Sequence, residues 1–291
     1  MSRAERTAVI GTIAALAVGA AIAVAGSDNG EEVGGLRLFA LCAIVSYGIN
    51  LVAFVVAYIR QTEHFFDLTG SITYLTLVVV ALILGPTDWR AVLLAVLIGM
   101  WAMRLGTFLF RRIRRDGGDG RFDDLKPSFI RFLMTWMIQG LWVLLTMACA
   151  LAAMTTAEPA DFTGLAILGT VVWVAGFGIE VVSDNQKSAF RAKPENDGKF
   201  IDVGLWAWSR HPNYFGEITL WVGIALIALP ALDGWQYVTL ISPVFVYVLL
   251  TRISGIPLLE SRGKKRWGDD PAYQAYKKRT PVLMLRPPRG D

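Results

Sequence analysis

The chain has 291 residues, of which 54% are hydrophobic and ten are tryptophan, and its mean hydropathy is positive. This composition fits a polytopic membrane protein better than a soluble domain. The formal net charge is +4, but the basic residues gather in alternate loops, which is typical of membrane orientation and not of nucleic-acid binding. The two histidines and two cysteines form no cluster, so we predict no metal or haem site.

Eight apolar segments, separated by polar loops, predict membrane-spanning helices. They cover approximately residues 8–25, 36–59, 72–84, 89–110, 129–154, 162–182, 212–228 and 235–253. Arg3 and Arg6 precede the first segment, so a cleaved signal peptide is the alternative to a retained first helix, which we favour. The polar segments are too short to bury a core of their own. The sequence therefore predicts an all-α, multi-pass membrane bundle.

The positions of the basic residues predict how the chain crosses the membrane. With both termini in the cytoplasm, every basic cluster lies on one side, and only Arg37 and Arg90 lie near the other. One of these clusters is the glycine-rich loop of residues 111–121. We interpret it as an anchor on anionic lipid headgroups, with a ligand-binding loop as the alternative.

A polar and aromatic stretch from Gly204 to Trp221 leads into the seventh segment. Pro212 suits the first position of a helix, because its missing N–H would be unpaired there anyway. The free N–H groups of such a helix start favour an anion such as phosphate, and Arg210 and His211, when protonated, would strengthen that preference. Farther along, three residues recur at spacing four and so share one helical face. They are Asn213, Glu217 and Trp221.

Glu217 therefore lies about one turn inside an apolar helix, where a carboxyl group is a functional candidate by default. The alternative is a hydrogen bond to a neighbouring helix. A second stripe of charged residues ends the sixth segment: Glu180, Asp184, Lys187 and Arg191. By itself this stripe predicts a salt-bridged helix end. If it faces the Asn213 stripe, the two would line a charged pocket open to the cytosol.

Asp67 lies between the second and third segments. It is a candidate proton donor or hydrogen-bond partner for a carbonyl group. The alternative is a helix N-cap, since Leu-Thr-Gly-Ser follows. Trp101 and Arg104 share a face of the fourth segment and are candidates for the border of the same cavity. Their alternatives are a packing ring and a base that reaches for the membrane interface.

Three motifs stand out in the C-terminal half: Asp184-Asn-Gln-Lys187-x-x-x-Arg191, Gly204-Leu-Trp-x-x-Ser-Arg-His-Pro-Asn213-Tyr-Phe-Gly-Glu217, and Leu259-Glu260-x-Arg262 with Tyr273-x-x-Tyr276. Together they resemble the bacterial, DUF1295-type branch of the steroid 5α-reductase superfamily. The resemblance covers about residues 36–285. It implies a seven-helix core at residues 36–253, an added helix within residues 1–35 and a cytoplasmic tail at 254–291. It also implies a bacterial inner membrane.

The resemblance implies an enzyme that binds NADPH from the cytosolic side and reduces a carbon–carbon double bond conjugated to a carbonyl in a hydrophobic, lipid-like substrate. The residues it assigns to cofactor binding are Glu180, Asp184, Lys187, Arg191, Arg210, His211, Asn213, Tyr214, Glu217, Arg252, Glu260 and Arg262. Asn213 and Glu217 are expected near the nicotinamide amide. Asp67, Trp101 and Glu217 are the predicted catalytic residues.

Within this resemblance, Asp67 falls where the steroid reductases carry a carboxyl group that helps to polarise the substrate carbonyl. Trp101 replaces a tyrosine of that family. An indole donates one hydrogen bond but cannot give up a proton as a phenol does. The family's late histidine and tyrosine are also absent, with Ile256 and Glu260 in roughly those places. The resemblance therefore does not specify a steroid as the substrate.

Two other classes remain open at this stage. Membrane methyltransferases of the isoprenylcysteine and phospholipid type share an Arg-His-Pro-x-Tyr stretch and a Glu/Arg end like Glu260 and Arg262, and they bind S-adenosylmethionine. Asn213 and Glu217 fit the reductase pattern better. The third class is a lipid-binding bundle without catalysis. The apolar segments would accept a sterol, a quinone, an isoprenoid or an acyl chain alike, and the sequence specifies no oligomeric state.

Overall fold

The computed structural model describes residues 1–158 and 160–288, without the side chains of Arg115 and Asp116. Pro159 of one predicted outer loop and those two side chains of the basic loop therefore lie outside the described residues. The α-helices are α1 (Arg3–Gly26), α2 (Leu38–Arg60), α3 (Phe66–Leu84), α4 (Trp89–Asp116), α5 (Phe129–Thr146), α6 (Ala148–Thr155), α7 (Gly164–Arg191), α8 (Leu205–Trp208), α9 (Pro212–Ala228), α10 (Ile241–Val248), α11 (Gly255–Trp267) and α12 (Pro271–Arg279). A short antiparallel hairpin joins β1 (Glu32–Val33) to β2 (Leu36–Arg37).

Eight helical stretches within the described residues are long and apolar enough to cross a membrane. They are Arg3–Gly26, Leu38–Arg60, Phe66–Leu84, Trp89–Arg114, Phe129–Thr146, Gly164–Arg191, Pro212–Ala231 and Gly234–Trp267. Backbone polar groups in hydrocarbon must be paired within the segment, and a helix does this. The predicted fold class, an all-α multi-pass membrane protein, is confirmed.

The third span begins earlier than the sequence predicted. Phe65 is the N-cap of α3, so Asp67 lies in its first turn, and the interpretation of Asp67 as the N-cap was wrong. The polar residues here do not mark a loop, because their hydroxyl groups bond back to the helix. Thr69 donates to the Phe65 carbonyl at 2.8 Å and Thr73 to the Thr69 carbonyl at 2.8 Å. Such bonds satisfy hydroxyl groups inside a helix.

The fifth and eighth spans are interrupted where continuous helices were predicted. Helix α5 ends at Thr146, and α6 restarts at Ala148. The eighth span combines a 3₁₀ segment (Gly234–Leu240), α10 and a π-helical turn (Leu249–Ile253). Pro243 lies in the first turn of α10, where a proline is tolerated but cannot extend the preceding hydrogen bonds. An apolar run does not signal such changes of bonding pattern, so hydropathy missed both.

The chain divides into two compact units. The first contains residues 1–163 and 227–242. Phe54, Phe132 and Trp136 are the centre of its aromatic core. Polar contacts also tie its spans together: Ser46 Oγ donates to the Gly140 carbonyl at 2.9 Å, and Gln139 Nε2 donates to the Phe66 carbonyl at 2.7 Å. Hydrogen bonds of this kind hold helices together in membranes, where hydrophobic burial does not drive association.

Arg90 is fully buried in the first unit. Its guanidinium donates to the carbonyls of Ile227 (3.2 Å), Ala160 (2.9 Å) and Asp161 (2.9 Å). A planar group with several donors suits this task, because one side chain can bond three carbonyls. Arg90 therefore joins the start of α4 to the segment that returns to this unit at residue 227.

The second unit contains residues 164–226 and 243–291. It includes α7, α8, most of α9, α11 and α12. Residues 254–291, predicted as a tail after the membrane core, contribute α11 and α12, and their contacts within this unit are described below. Helix α7 also continues to Arg191, well beyond the predicted end near residue 182.

Candidate functional site

The polar end of α7 belongs to one continuous helix with its apolar part. Glu180, Asp184, Lys187 and Arg191 all lie within Gly164–Arg191, so their spacing places them along one side of the helix. Glu180 and Asp184 are almost completely buried, at 2% and 6% exposed. Burying two carboxyl groups so close together is costly unless polar groups surround them. This part of α7 therefore needs polar neighbours.

Glycines bring α9 close to this face of α7. A Cβ atom at Gly216 would lie 2.6 Å from both the Gly176 carbonyl oxygen and the Glu180 nitrogen. A Cβ atom at Gly176 would in turn lie 2.5 Å from the Leu220 nitrogen. Only residues without side chains allow backbones to approach so closely. The crossing therefore depends on Gly176 and Gly216.

This crossing places the two predicted stripes against each other. Asn213 Nδ2 donates to Asp184 Oδ1 at 3.3 Å. The other amide atom of Asn213, Oδ1, is buried without a hydrogen-bond partner. Pro212 is the first residue of α9, as predicted. Glu217 lies one turn farther along, half-buried, and Trp221 is completely buried.

The approach to α9 is held against α7 by its own side chains and backbone. Gln186 Oε1 accepts from the Leu205 N–H at 2.9 Å, where Gly204 has a positive φ of 61°. Trp206 Nε1 donates to the Ser183 carbonyl at 2.9 Å. The Lys187 ammonium lies 4.4 Å from the centre of the Trp206 ring, a distance typical of cation–π attraction. These contacts fix the chain just before Arg210 and His211.

Arg210 and His211 meet Glu260, which is a departure from the predicted phosphate site. Arg210 Nη1 donates to the two Glu260 oxygens at 2.9 and 2.8 Å, and Lys277 Nζ lies 3.2 Å from Oε2. His211 Nε2 is 3.2 Å from Oε1. The Glu260 carboxylate therefore gives Arg210 and His211 an anionic partner within the chain.

His211 is 5% exposed, and burial lowers its pKa below the ordinary value, while the hydrogen bond with Glu260 opposes that shift. The imidazole is therefore neutral at pH 7, so His211 adds no positive charge beside Arg210 there. Its other nitrogen, Nδ1, is buried without a hydrogen-bond partner. The ring stacks on Tyr214 with centroids 5.7 Å apart.

The C-terminal segment packs against the same stretch, which sequence reasoning did not anticipate. The Arg210 N–H donates to the Pro281 carbonyl at 2.9 Å, and the Arg286 N–H donates to the Trp208 carbonyl at 3.0 Å. Tyr276 Oη donates to the Trp206 carbonyl at 2.8 Å. The Tyr273-x-x-Tyr276 motif was the one available signal. No sequence pattern indicated Lys277, because its partner Glu260 is seventeen residues away in sequence.

The remaining predicted cofactor residues lie elsewhere in the second unit or on α9 itself. Arg252 and Arg262 are exposed, in the π-helical turn and in α11 respectively. Arg191 is exposed at the end of α7. Tyr214 contacts Gly255, where a Cβ atom would lie 2.8 Å from the tyrosine ring. Basic side chains therefore remain exposed in the second unit.

Asp67 and Trp101 belong to the first unit. Helices α3 and α4 run antiparallel there, and Asp67 Oδ2 lies 3.6 Å from Arg112 Nη2. A side chain at Gly106 would collide with Ser71. The rings of Tyr74 and Trp101 meet edge-on, with centroids 5.1 Å apart at 86°. These three pairs define what we call the α3–α4 seam.

The loop before α3 is tied to the basic loop. Glu63 is 4% exposed, and its carboxylate accepts from Lys126 Nζ at 2.8 Å and from the Asp119 N–H at 3.0 Å. Burial raises the pKa of Glu63, but these hydrogen bonds outweigh burial and hold the pKa below its ordinary value. Lys126 and Arg121 are thus paired within the chain, Arg121 with Asp119. These ion pairs offset part of the positive charge of this region.

The fold and these residues define a multi-pass membrane protein whose second unit carries a buried polar crossing of α7 and α9. The chain belongs to the family described as "Protein of unknown function (DUF1295)", whose model matches residues 53–280. The family assignment made from the motifs is confirmed, and it is consistent with the steroid 5α-reductase superfamily.

A curated relative supports the same superfamily. The chain is 32% identical over 87 residues to "3-oxo-5-alpha-steroid 4-dehydrogenase 1" from Bos taurus. The match covers 30% of this chain and 32% of the bovine protein. No solved structure matches.

Proposed function

We propose that the protein is an NADPH-dependent reductase that saturates a carbon–carbon double bond conjugated to a carbonyl in a hydrophobic, lipid-like substrate. The observation that carries the proposal is the buried Asn213 Oδ1 without a partner, next to Asp184 in the motif that resembles the reductases. The local match to a protein named as a steroid dehydrogenase supports the reaction class.

The α7–α9 crossing fits the carboxamide end of a nicotinamide. Because Asn213 Nδ2 is bound to Asp184, its amide is fixed with Oδ1 free to accept. A carboxamide NH₂ offers two donors. We assign one to Asn213 Oδ1 and the other to Glu217, one turn farther along α9. Bound NADPH would supply a hydride, and the role of these residues is to orient the ring that carries it.

The rest of the dinucleotide requires basic side chains. Arg191, Arg252 and Arg262 are exposed in the second unit, and we assign the phosphates to them. Arg210 and His211 are assigned a supporting role, because Glu260 already engages both. Glu180, Lys187 and Tyr214 complete the proposed set around the crossing. Asp67 and Trp101 stay predicted catalytic residues.

We also propose a location. The resemblance to the bacterial branch supports a bacterial inner membrane, and the distribution of basic loops supports both termini in the cytoplasm. The cofactor is then available from the cytosol, and the substrate is a lipid-like molecule already dissolved in the bilayer.

The test is a thermal-shift comparison of the detergent-purified full chain with NADPH, NADH or S-adenosylmethionine. A ligand at a hundred times its dissociation constant should stabilise the protein by about 2.7 kcal/mol. We expect this with NADPH and its loss in Asn213→Ala and Asp184→Asn. The matched control is Gln274→Ala, which removes an exposed amide of the same unit and should leave the shift unchanged.

Other outcomes would redirect the proposal. Stabilisation by S-adenosylmethionine alone would favour the methyltransferase, and no response to any ligand would favour the lipid-binding bundle. Stabilisation by NADPH that survives both substitutions would leave the reductase class standing and remove the assignment of the crossing.

A further inference from the structure

We infer that a cleft in the first unit binds a phospholipid whose headgroup carries both a phosphate and a primary ammonium group, as phosphatidylethanolamine does. The cleft lies between the starts of α1 and α5, and its volume is about 550 Å³, a size typical of small-molecule sites. We call it the α1–α5 cleft, and it is lined by Met1, Glu5, Val9, Asp124 and residues 127–131. The inference is independent of the proposed reductase function.

The α1–α5 cleft lies at the level of the lipid headgroups. Helix α1 has 24 residues and is therefore about 36 Å long, whereas the hydrocarbon core of a bilayer is about 30 Å thick. Just after α1, the Glu31 N–H donates to the carbonyl of Thr155, the last residue of α6, at 2.7 Å. Helix α1 and the α5–α6 pair therefore end together, and both begin at the cleft. The cleft faces the layer that contains phosphate and ammonium groups.

Arg131 supplies a positive group for the phosphate. Its Nη1 donates to the Asp124 carbonyl at 2.8 Å, which holds the guanidinium at the cleft. Among the described residues, this carbonyl is the only hydrogen-bond partner of the guanidinium. Its remaining donors suit a phosphate, which a guanidinium binds with two parallel hydrogen bonds. Ser128, the N-cap of α5, makes no capping hydrogen bond with its side chain, so its hydroxyl group is a further donor for the same phosphate.

Two carboxylates make the cleft unsuitable for a purely anionic headgroup. Glu5 Oε2 accepts from the Ser2 N–H at 2.7 Å in the capping box of α1, while Oε1 accepts no hydrogen bond from the described residues. The Asp124 side chain is exposed at the cleft. A headgroup with an ammonium next to its phosphate places opposite charges on both carboxylates and on Arg131. A primary ammonium also offers three N–H donors, whereas the quaternary ammonium of choline has none.

The apolar side of the cleft suits the glycerol and the acyl chains. Val9 and Ile130 are half-buried there, and Phe129 is 52% exposed. Farther along both helices, α1 and α5 close on each other, because a Cβ atom at Gly11 would lie 2.7 Å from Met134 Sδ. Acyl chains therefore cannot pass between the two helices and leave along the lipid-facing surface of the bundle. The headgroup is bound by the protein, and the chains stay in the bilayer.

The test measures lipid binding to the detergent-purified full chain by native mass spectrometry. The protein is incubated with equal amounts of phosphatidylethanolamine and phosphatidylglycerol, and in a second experiment with equal amounts of phosphatidylethanolamine and phosphatidylcholine. All lipids have palmitoyl and oleoyl chains. The ratio of the bound lipids therefore reports the selectivity for the headgroup alone.

One variant removes the negative charges of the cleft. It combines Glu5→Gln with Asp124→Asn, and its glutamine can still accept the Ser2 N–H, because a capping box tolerates either residue. The matched control combines Glu31→Gln with Glu32→Gln. It changes the net charge by the same amount at the other end of α1.

A second variant, Arg131→Gln, removes the positive group assigned to the phosphate. Its matched control is Arg6→Gln, which removes an exposed arginine of α1 that does not line the cleft. The melting temperature of every variant without added lipid shows whether the fold is kept.

We expect the wild type to prefer phosphatidylethanolamine over phosphatidylglycerol by about two- to fivefold, the range of one partly exposed ion pair. Removing both carboxylates should bring this ratio close to one. Arg131→Gln should lower the binding of both lipids by about two- to fivefold, and both controls should resemble the wild type. Structural damage would lower the melting temperature and the binding of both lipids without changing their ratio.

Three results would overturn the inference. The first is equal binding of phosphatidylethanolamine and phosphatidylglycerol by the wild type, or a preference that persists without the two carboxylates. The second is equal binding of phosphatidylcholine and phosphatidylethanolamine, since choline offers no N–H donor. The third is an Arg131→Gln variant that binds as much lipid as Arg6→Gln. None of these results involves NADPH, so each would leave the proposed function standing.

Discussion

His211 is a buried histidine whose neutral form the fold prefers. Its folded pKa lies below the ordinary value of about 6.5, because burial opposes the charge. The unfolded chain therefore binds more protons in this range, so stability is complete above pH 6.5 or so and is lost as the pH falls through the folded pKa. We predict that the melting temperature falls between pH 7.5 and 5.5, and that His211→Gln reduces this dependence.

The matched control is His64→Gln, since His64 is the other histidine and is exposed. The lowered pKa values of Glu63 and Asp119 act in the same direction but below the ordinary carboxyl range of about 4, so this pH window isolates histidine. An unchanged pH dependence in His211→Gln would show that burial does not keep His211 neutral.

At this scale, sequence could predict which residues matter but not their partners. Arg210, His211 and Glu260 were all singled out, yet the first two were expected to face a phosphate. The structure shows them on the carboxylate, across fifty residues of chain. A helix start with adjacent basic residues has the same local pattern whether the anion is a ligand or a distant glutamate. Only the packing of α11 decides between them.

The α7–α9 crossing offers a matched pair of glycines on one helix. A Cβ atom at Gly176 would meet backbone atoms of α9, whereas one at Gly178 would have no atom within 4 Å. We predict that Gly176→Ala destabilises the protein by about 1–3 kcal/mol through overpacking. Gly178→Ala should be neutral or stabilising by up to about 1 kcal/mol, because alanine favours the helix.

The measurements are the melting temperature and the NADPH-induced shift of both variants. Gly176→Ala should lose part of the shift as well, because moving α9 separates Asn213 from Asp184. Equal behaviour of the two variants would show that the crossing tolerates a wider separation, and the close approach would then not be what positions Asn213.

At the scale of elements, the sequence predicted where helices exist better than how they are built. Pro212 correctly marked the start of α9, and spacing correctly placed Glu180 and Asp184 on one helix. Hydropathy missed the interruption at Met147 and the π-helical turn, since both lie within apolar runs. Hydropathy also placed the start of α3 too late. It counts threonine and serine as polar even where their hydroxyl groups bond the backbone of their own helix.

For the whole molecule, the division into two units was beyond sequence reasoning. The chain leaves the first unit at residue 163 and returns to it at 227. Arg90 holds the returning segment by hydrogen bonds to three carbonyls. In the sequence it was only a basic residue on the predicted outer side, where few basic residues are expected. Carbonyl partners have no side-chain signature, so no motif could have revealed this role.

The burial of Arg90 is compatible with the predicted orientation, which stays a prediction. The two arginines on the predicted outer side are engaged in hydrogen bonds, Arg90 as above and Arg37 with the Gly30 carbonyl at 2.5 Å. Arg90 is buried, whereas Arg37 is exposed, as Lys199 and Arg262 are on the predicted cytoplasmic side. The asymmetry that orients a membrane protein is one of basic residues flanking the spans, and it favours cytoplasmic termini.

Cysteine labelling can test this orientation directly. Cys42 and Cys149 are free and fully buried, so the native chain should react poorly with a membrane-impermeant maleimide. Glu32→Cys and Lys199→Cys place single thiols at exposed positions of the β1–β2 hairpin and of the loop after α7. We predict that Glu32→Cys is labelled in intact spheroplasts and Lys199→Cys only after permeabilisation. The reverse pattern would put the α7–α9 crossing outside the cytosol, away from NADPH, and so argue against the proposed cofactor as well as the orientation.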